Sequence, residues 1–213
     1  MYKRQVADAL TYVAGAIERE LGAVTDNPLV FEDAILSGGN FHGQPLSLPL
    51  DHLALAACEL ASFAERRTYA LLSPSYAGLP PFLTPHPGLN SGLMIAQYVA
   101  ASLVNECTVL AHPAGAASIP TSAGMEDYNS MGAYGALKAR QAVRNAAQVV
   151  AIELACACQG VEFHRPLEST PRLEQAIARV RERVPRLEQD RSLSGELSAL
   201  ADDLRLGRLV LGD

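Results

Sequence analysis

Between Tyr128 and Val161 only four residues carry charge: Lys138, Arg140, Arg144 and Glu153. A stretch that long and that apolar constrains the fold more than anything else in the chain. It is expected to form a helix from near Glu126 to about Val161, in the middle of a bundle or at a subunit interface. The composition agrees. Hydrophobic residues make up 49% of the 213, mostly Ala and Leu, and Trp is absent, which favours closely packed helices over a β-sandwich. The length suits one domain with a core, or part of a larger one. The net charge of −6 argues against a nucleic-acid partner. No apolar run reads as long enough to span a membrane, so no membrane association is expected.

Five further helices are expected besides this one. Val6, Leu10, Val13, Ala14 and Ile17 recur at helical spacing and predict a helix over Val6–Leu21. A long helix is expected from about Pro49 to Leu72, with Leu53, Ala57, Leu60, Ala61 and Ala64 as its buried stripe. Another should run to about Leu110, N-capped at Asn90-Ser91, with Met94, Tyr98, Ala101 and Val104 on one side. Past Pro171 the chain becomes rich in Arg, Glu and Gln, and two shorter amphipathic helices are expected near Arg172–Val184 and Ser194–Leu206. Leu29–Phe31 and Ala34–Leu36 read as short extended pieces around Glu32-Asp33. The fold class is therefore all-α, a long-helix bundle whose connections are irregular and longer than a plain bundle needs. Such loops often carry function.

Cys58, Cys107, Cys156 and Cys158 show no paired CxxC spacing. No zinc or other metal site is expected, and a reducing, cytoplasmic compartment is the reading. Cys156 and Cys158 lie in an apolar helical run and read as small hydrophobes. No hydrolase, phosphate-loop or dinucleotide signature occurs.

Chemistry must then come from three loops: Thr25–Pro28, Ser37–Pro45 and Pro120–Met131. Asn27 can both donate and accept. It reads either as the Asx-turn residue that ends the first helix or as a ligand contact. Phe41 is an anchor into the core or a wall of a pocket. His42 is a base or a merely solvated, hydrogen-bonded imidazole. Glu126 and Asp127 either complement the dipole at a helix start or aim a carboxylate at a polar substrate group. His112 reads as structural, and Glu65-Arg66-Arg67 as a charged helix face or interface ion pair.

Taken together the loops are far more specific. Thr25-Asp26-Asn27-Pro28-Leu29-Val30-Phe31, Ser37-Gly38-Gly39-Asn40-Phe41-His42-Gly43-Gln44-Pro45 and Gly78-Leu79-Pro80-Pro81-Phe82-Leu83 occur in that order. Gly88-Leu89-Asn90-Ser91-Gly92-Leu93-Met94, Ser118-Ile119-Pro120-Thr121-Ser122-Ala123-Gly124 and Glu126-Asp127 with Ser130-Met131-Gly132 follow. This set resembles the C-terminal half of the aromatic amino acid lyases, and within them the histidine-acting members most.

The resemblance implies elimination of ammonia from L-histidine to give urocanate, with phenylalanine or tyrosine as the alternative substrate. A non-catalytic helical assembly module is the reading from a different class. The resemblance also implies a methylidene-imidazolone prosthetic group, cyclised from an Ala-Ser-Gly tripeptide that this sequence does not contain. No catalytic residue is therefore expected in this chain, and the chain alone is expected to be inactive. Asn27 resembles the asparagine that holds the substrate carboxylate, Phe41 the phenylalanine beside the electrophile, and Glu126 the residue that reads the substrate side chain. A carboxylate there suits an imidazole N–H. Met125 stands where histidine lyases usually have Gln, and Tyr128-Asn129 where His-Val is usual. A homotetramer is implied.

By this reading residues 1–5 are an adapter-derived artefact, because Met1-Tyr2-Lys3-Arg4-Gln5 is what a transposon-derived sequencing adapter would encode. The gene is then expected to continue upstream. Residues 6–165 form the bundle core with the active-site loops, and 166–213 the C-terminal amphipathic helices.

Overall fold

The computed structural model describes residues 2–74 and 76–209. Among them six α-helices occur: α1 (Tyr2–Leu21), α2 (Gln44–Leu72), α3 (Met94–Leu110), α4 (Gly132–Glu162), α5 (Pro171–Arg181) and α6 (Ser194–Arg205). The sheet is one antiparallel pair, β1 (Leu29–Val30) with β2 (Ile35–Leu36), in the register Leu29 to Leu36 and Val30 to Ile35. The all-α expectation holds. Of residues 1–5, Met1 lies outside the described residues, while Tyr2 to Gln5 belong to α1.

The chain divides into two compact units, Met1–Glu59 with Cys107–Val143, and Leu60–Glu106 with Arg144–Asp213. Small residues dominate the first core, and the second adds larger side chains to its alanines. In the first unit Ala9, Val13, Ala54, Ala57, Cys107 and Ala142 are buried. In the second, Ala61, Ala64, Ala100, Val149, Ile152 and Leu200 are buried. Alanine brings helix axes close, and close-packed contacts recover dispersion energy that loose ones forfeit.

Four expectations need correction. First, α4 begins at Gly132, not near Glu126. Met131 takes a left-handed φ of 56° and the Ser130 Oγ accepts the Gly132 N–H at 3.2 Å, so Ser130 starts the helix. Second, α3 begins at Met94 without an Asn90-Ser91 cap. The Asp190 carboxylate instead accepts the N–H of Ser91 at 2.7 Å and of Gly92 at 2.9 Å. Third, α3 buries Ala96, Ala100 and Cys107 and leaves Tyr98 65% exposed. An all-round apolar helix gives periodicity no polar face to orient by, and its small side carries the close packing. Likewise α2 buries Ala54 in place of Leu53, which is half-buried.

Fourth, α2 is long and apolar enough to cross a membrane, contrary to the run-length argument. It starts at Gln44 and carries Pro49 inside. Its Ser47, Asp51, Glu65 and Thr68 are buried and all bond within the protein. Helices packed in protein place polar groups this way.

Glu65 shows how the second unit holds a buried charge. Burial alone would push its carboxyl up. Bonds from Arg66 and from Gln97 at 2.7 Å outweigh that and hold it below its ordinary value. Arg67 pairs with Glu153 across α2 and α4. The run Glu65-Arg66-Arg67 thus makes two separate ion pairs, with the Arg66 side chain largely exposed on the helix face. None of the four cysteines is in a disulfide, and burial pushes the Cys156 thiol up to about 12 and Cys158 up to about 11.

Candidate substrate-binding loops

Asn27, Phe41 and Glu126 all belong to the first unit. Asn27 stands in the loop between α1 and β1. Its Oδ1 accepts the Gly38 N–H at 2.9 Å and the Ser37 hydroxyl at 3.3 Å. A backbone N–H can only donate, so this bond fixes which end of the amide faces inward. The Nδ2 group, a pure donor, is turned away and has no partner among the described residues. Asn27 does not form the Asx turn that would end α1, which stops at Leu21; its oxygen braces the 37–38 loop and its Nδ2 is left as an available donor. Gly38 is required for this: a Cβ there would sit 2.6 Å from the Asp26 carbonyl oxygen.

Phe41 is not a core anchor. It is 40% exposed and lies against the His42 ring, with centroids 4.0 Å apart and planes at 39°. The half-buried His42 is held by its backbone, whose carbonyl accepts the Ser130 hydroxyl at 2.7 Å.

Glu126 does not sit at a helix start, so the dipole reading falls. It follows a tight turn in which Ser122, Ala123 and Gly124 have φ of 53°, 56° and 88°. Thr121 and Glu126 pair across the turn through Thr121 N–H to Glu126 C=O at 2.9 Å and Glu126 N–H to Thr121 C=O at 3.3 Å. The backbone of Glu126 is thus fixed, while its half-buried carboxylate has no partner among the described residues. A fixed carboxylate of this kind can accept an N–H from a ligand without first breaking an internal bond.

Cross-links join the three loops. The Asn27 bonds tie Thr25–Pro28 to Ser37–Pro45. The Ser130–His42 bond and a 3.3 Å bond from Gln44 Nε2 to the Tyr128 hydroxyl tie Ser37–Pro45 to the Glu126 loop. Asn129 stitches that loop internally, donating to the Ile119 carbonyl at 2.6 Å and receiving the Ser118 hydroxyl as acceptor for its own N–H at 2.8 Å. Of these supports, Gly38, Gln44 and Ser130 stand inside the loop motifs with no role of their own read from the sequence, while Tyr128 and Asn129 stand out there only as departures from the usual His-Val.

A family model described as aromatic amino acid lyase matches residues 5–182. The chain belongs to the aromatic amino acid lyase family. Histidine ammonia-lyase of Anaeromyxobacter sp. (strain K) is 52% identical over 206 residues, 96% of this chain and 41% of its own length. That of Bacillus subtilis is 47% identical over 203 residues, 94% of this chain and 40% of its own. The crystal structure of histidine ammonia-lyase from Trypanosoma cruzi superposes with a TM-score of 0.90 at 43% identity, covering 96% of this chain and 41% of that one. Tyrosine aminomutase from Streptomyces globisporus follows at 0.89 and 35% identity, covering 96% and 40%. This lyase chain spans about two fifths of the length of the relatives it matches.

Proposed function

We propose that this chain supplies the substrate-binding loops of a histidine ammonia-lyase, which eliminates ammonia from L-histidine to give urocanate. The observation that carries the reading is Glu126: a backbone-fixed carboxylate with no internal partner, suited to an imidazole N–H. Burying it against a phenyl ring would leave a charge uncompensated, which disfavours phenylalanine as substrate. The identity to several histidine ammonia-lyases supports the same choice. Asn27 donates through Nδ2 to the substrate carboxylate, and Phe41 packs an aromatic face beside the reacting carbon.

The methylidene-imidazolone group of the family is not built from this chain's residues, because no Ala-Ser-Gly occurs in them. It enters from another segment of polypeptide. The chain then works within a homotetramer in the cytoplasm. Assembly would cover the exposed Ile95, Tyr98, Tyr134 and Leu137, each at least 58% accessible.

The test joins this chain to a histidine ammonia-lyase N-terminal portion that contains Ala-Ser-Gly, and follows urocanate by its ultraviolet absorbance. Urocanate should form from histidine in the joined protein and not with this chain alone. Turnover of phenylalanine or tyrosine in place of histidine would overturn the substrate; turnover by the chain alone would overturn the division of labour.

A further inference from the structure

We infer that Asp51, Lys138 and Ser47 form a clamp that positions the Glu126 loop, making Asp51 a positioning residue for the substrate side chain. The inference rests on the reading of Glu126 given above.

Asp51 and Lys138 are a buried pair, with side chains 5% and 8% exposed and Nζ 3.7 Å from Oδ1. A buried ion pair is a poor device for stability alone, since desolvation offsets its attraction and an apolar pair of like volume often does as well. What an apolar pair cannot do is hold backbone polar groups. Asp51 accepts two successive N–H groups, Ala114 at 2.9 Å and Gly115 at 2.7 Å, one on each oxygen. Lys138 donates to the His112 carbonyl. The pair therefore fixes the segment that leaves α3, through three of its backbone groups. Gly115 is essential to the fit, because a Cβ there would run into Ser47 Oγ and lie 3.1 Å from Asp51 Oδ2.

Ser47 fixes the other end. It lies one turn before Asp51 on the same face of α2. Its hydroxyl donates to the Ser130 carbonyl at 2.6 Å, immediately before α4 begins. One turn of α2 thus grips both the entry and the exit of the 112–131 segment. Glu126 lies between the grips, and Asn129 bonds hold the segment to itself. Through this path the buried groups set where an otherwise unbonded carboxylate points. None of the clamp residues need touch the substrate.

The experiment uses the joined full-length enzyme. Asp51→Asn with Lys138→Met removes both charges together, Ser47→Ala loosens the exit without touching a charge, and Glu126→Gln removes the proposed reader. Each clamp variant is also combined with Glu126→Gln. Hydrogen exchange of amides 112–131 is measured beside kcat and KM for histidine. The clamp variants should exchange faster in that segment and raise KM roughly tenfold, and in the Glu126→Gln background the same changes should add little. If the effects multiply, Asp51 and Ser47 do not act through Glu126 and the inference is overturned while the role of Glu126 stands. If Glu126→Gln alone leaves both constants unchanged, the reading of Glu126 fails and the inference falls with it. Should the Asp51/Lys138 double variant not fold, Ser47→Ala carries the same expectation.

Discussion

Gly38 donates its N–H to the Asn27 side-chain oxygen at 2.9 Å, and that bond decides how the Asn27 amide faces. Asparagine carries a donor and an acceptor of nearly equal shape, and its orientation is normally inferred from its neighbours. A backbone N–H settles it, because only oxygen can accept. The group left over is a donor, which is what a carboxylate needs.

Asn27→Asp tests this directly. The aspartate still accepts from Gly38, so the turn survives, but it presents negative charge to the substrate carboxylate. In the joined enzyme KM for histidine should rise at least about tenfold, the scale of one charge-assisted hydrogen bond. The melting temperature should stay within about 2 °C, because the residue is exposed. A KM unchanged within error would remove Asn27 from the site.

Gly38→Ala attacks the same turn from its other side. A Cβ 2.6 Å from the Asp26 oxygen forces the loop to shift, and the Asn27 bond lengthens or breaks. KM should rise with little loss of helical circular dichroism, since the loop lies outside every helix. An alanine variant with native KM would mean the approach is not required.

The contrast between Asn27 and α3 shows what the sequence could convey. Loop motifs were legible because Gly, Pro and Asn have narrow backbone roles, and the β1–β2 pair fell where Glu32-Asp33 marked a turn. Helix existence was legible from apolar spacing. Which face of α3 is buried was not, because Tyr98 and Ala100 are both apolar and only packing separates them. Nor could the sequence tell that Asp190 caps Ser91 and Gly92, about a hundred residues away along the chain. The start of α4 was misplaced because Glu126-Asp127 mimics an acidic first turn, whereas the tight turn at Ser122–Gly124 and the left-handed Met131 interrupt the backbone there.

Gln159 offers a stability test in the second unit. It is 1% exposed and donates to the Leu83 carbonyl at 3.0 Å and the Leu187 carbonyl at 2.7 Å, while its oxygen accepts the Leu187 N–H at 3.1 Å. Gln159→Leu keeps much of the volume but strands these groups. A loss of about 3 kcal/mol is expected, at the scale of buried groups left unpaired. Urea unfolding monitored by circular dichroism measures it; a loss below about 1 kcal/mol would show that the surroundings re-pair these groups.

Cys156 and Cys158 predict an alkaline weakness. Their thiols titrate at about 12 and about 11 in the fold, against 9.0 ordinarily, chiefly because burial disfavours the thiolate. In the unfolded chain they lose protons from about pH 9, where the folded chain still holds them. The unfolded state then binds fewer protons, so stability must fall as pH rises. The contribution is whole below pH 9.0 and disappears as pH climbs through about 11 for Cys158 and about 12 for Cys156. The slope approaches about 1.4 kcal/mol per pH unit for each thiol. The measurement is a comparison with Cys156→Ala/Cys158→Ala. Urea unfolding at several pH values between about 8 and 10.5 should show a shallower decline in the double variant. Parallel declines would mean that these two thiols do not cause the loss, and that burial does not hold them protonated.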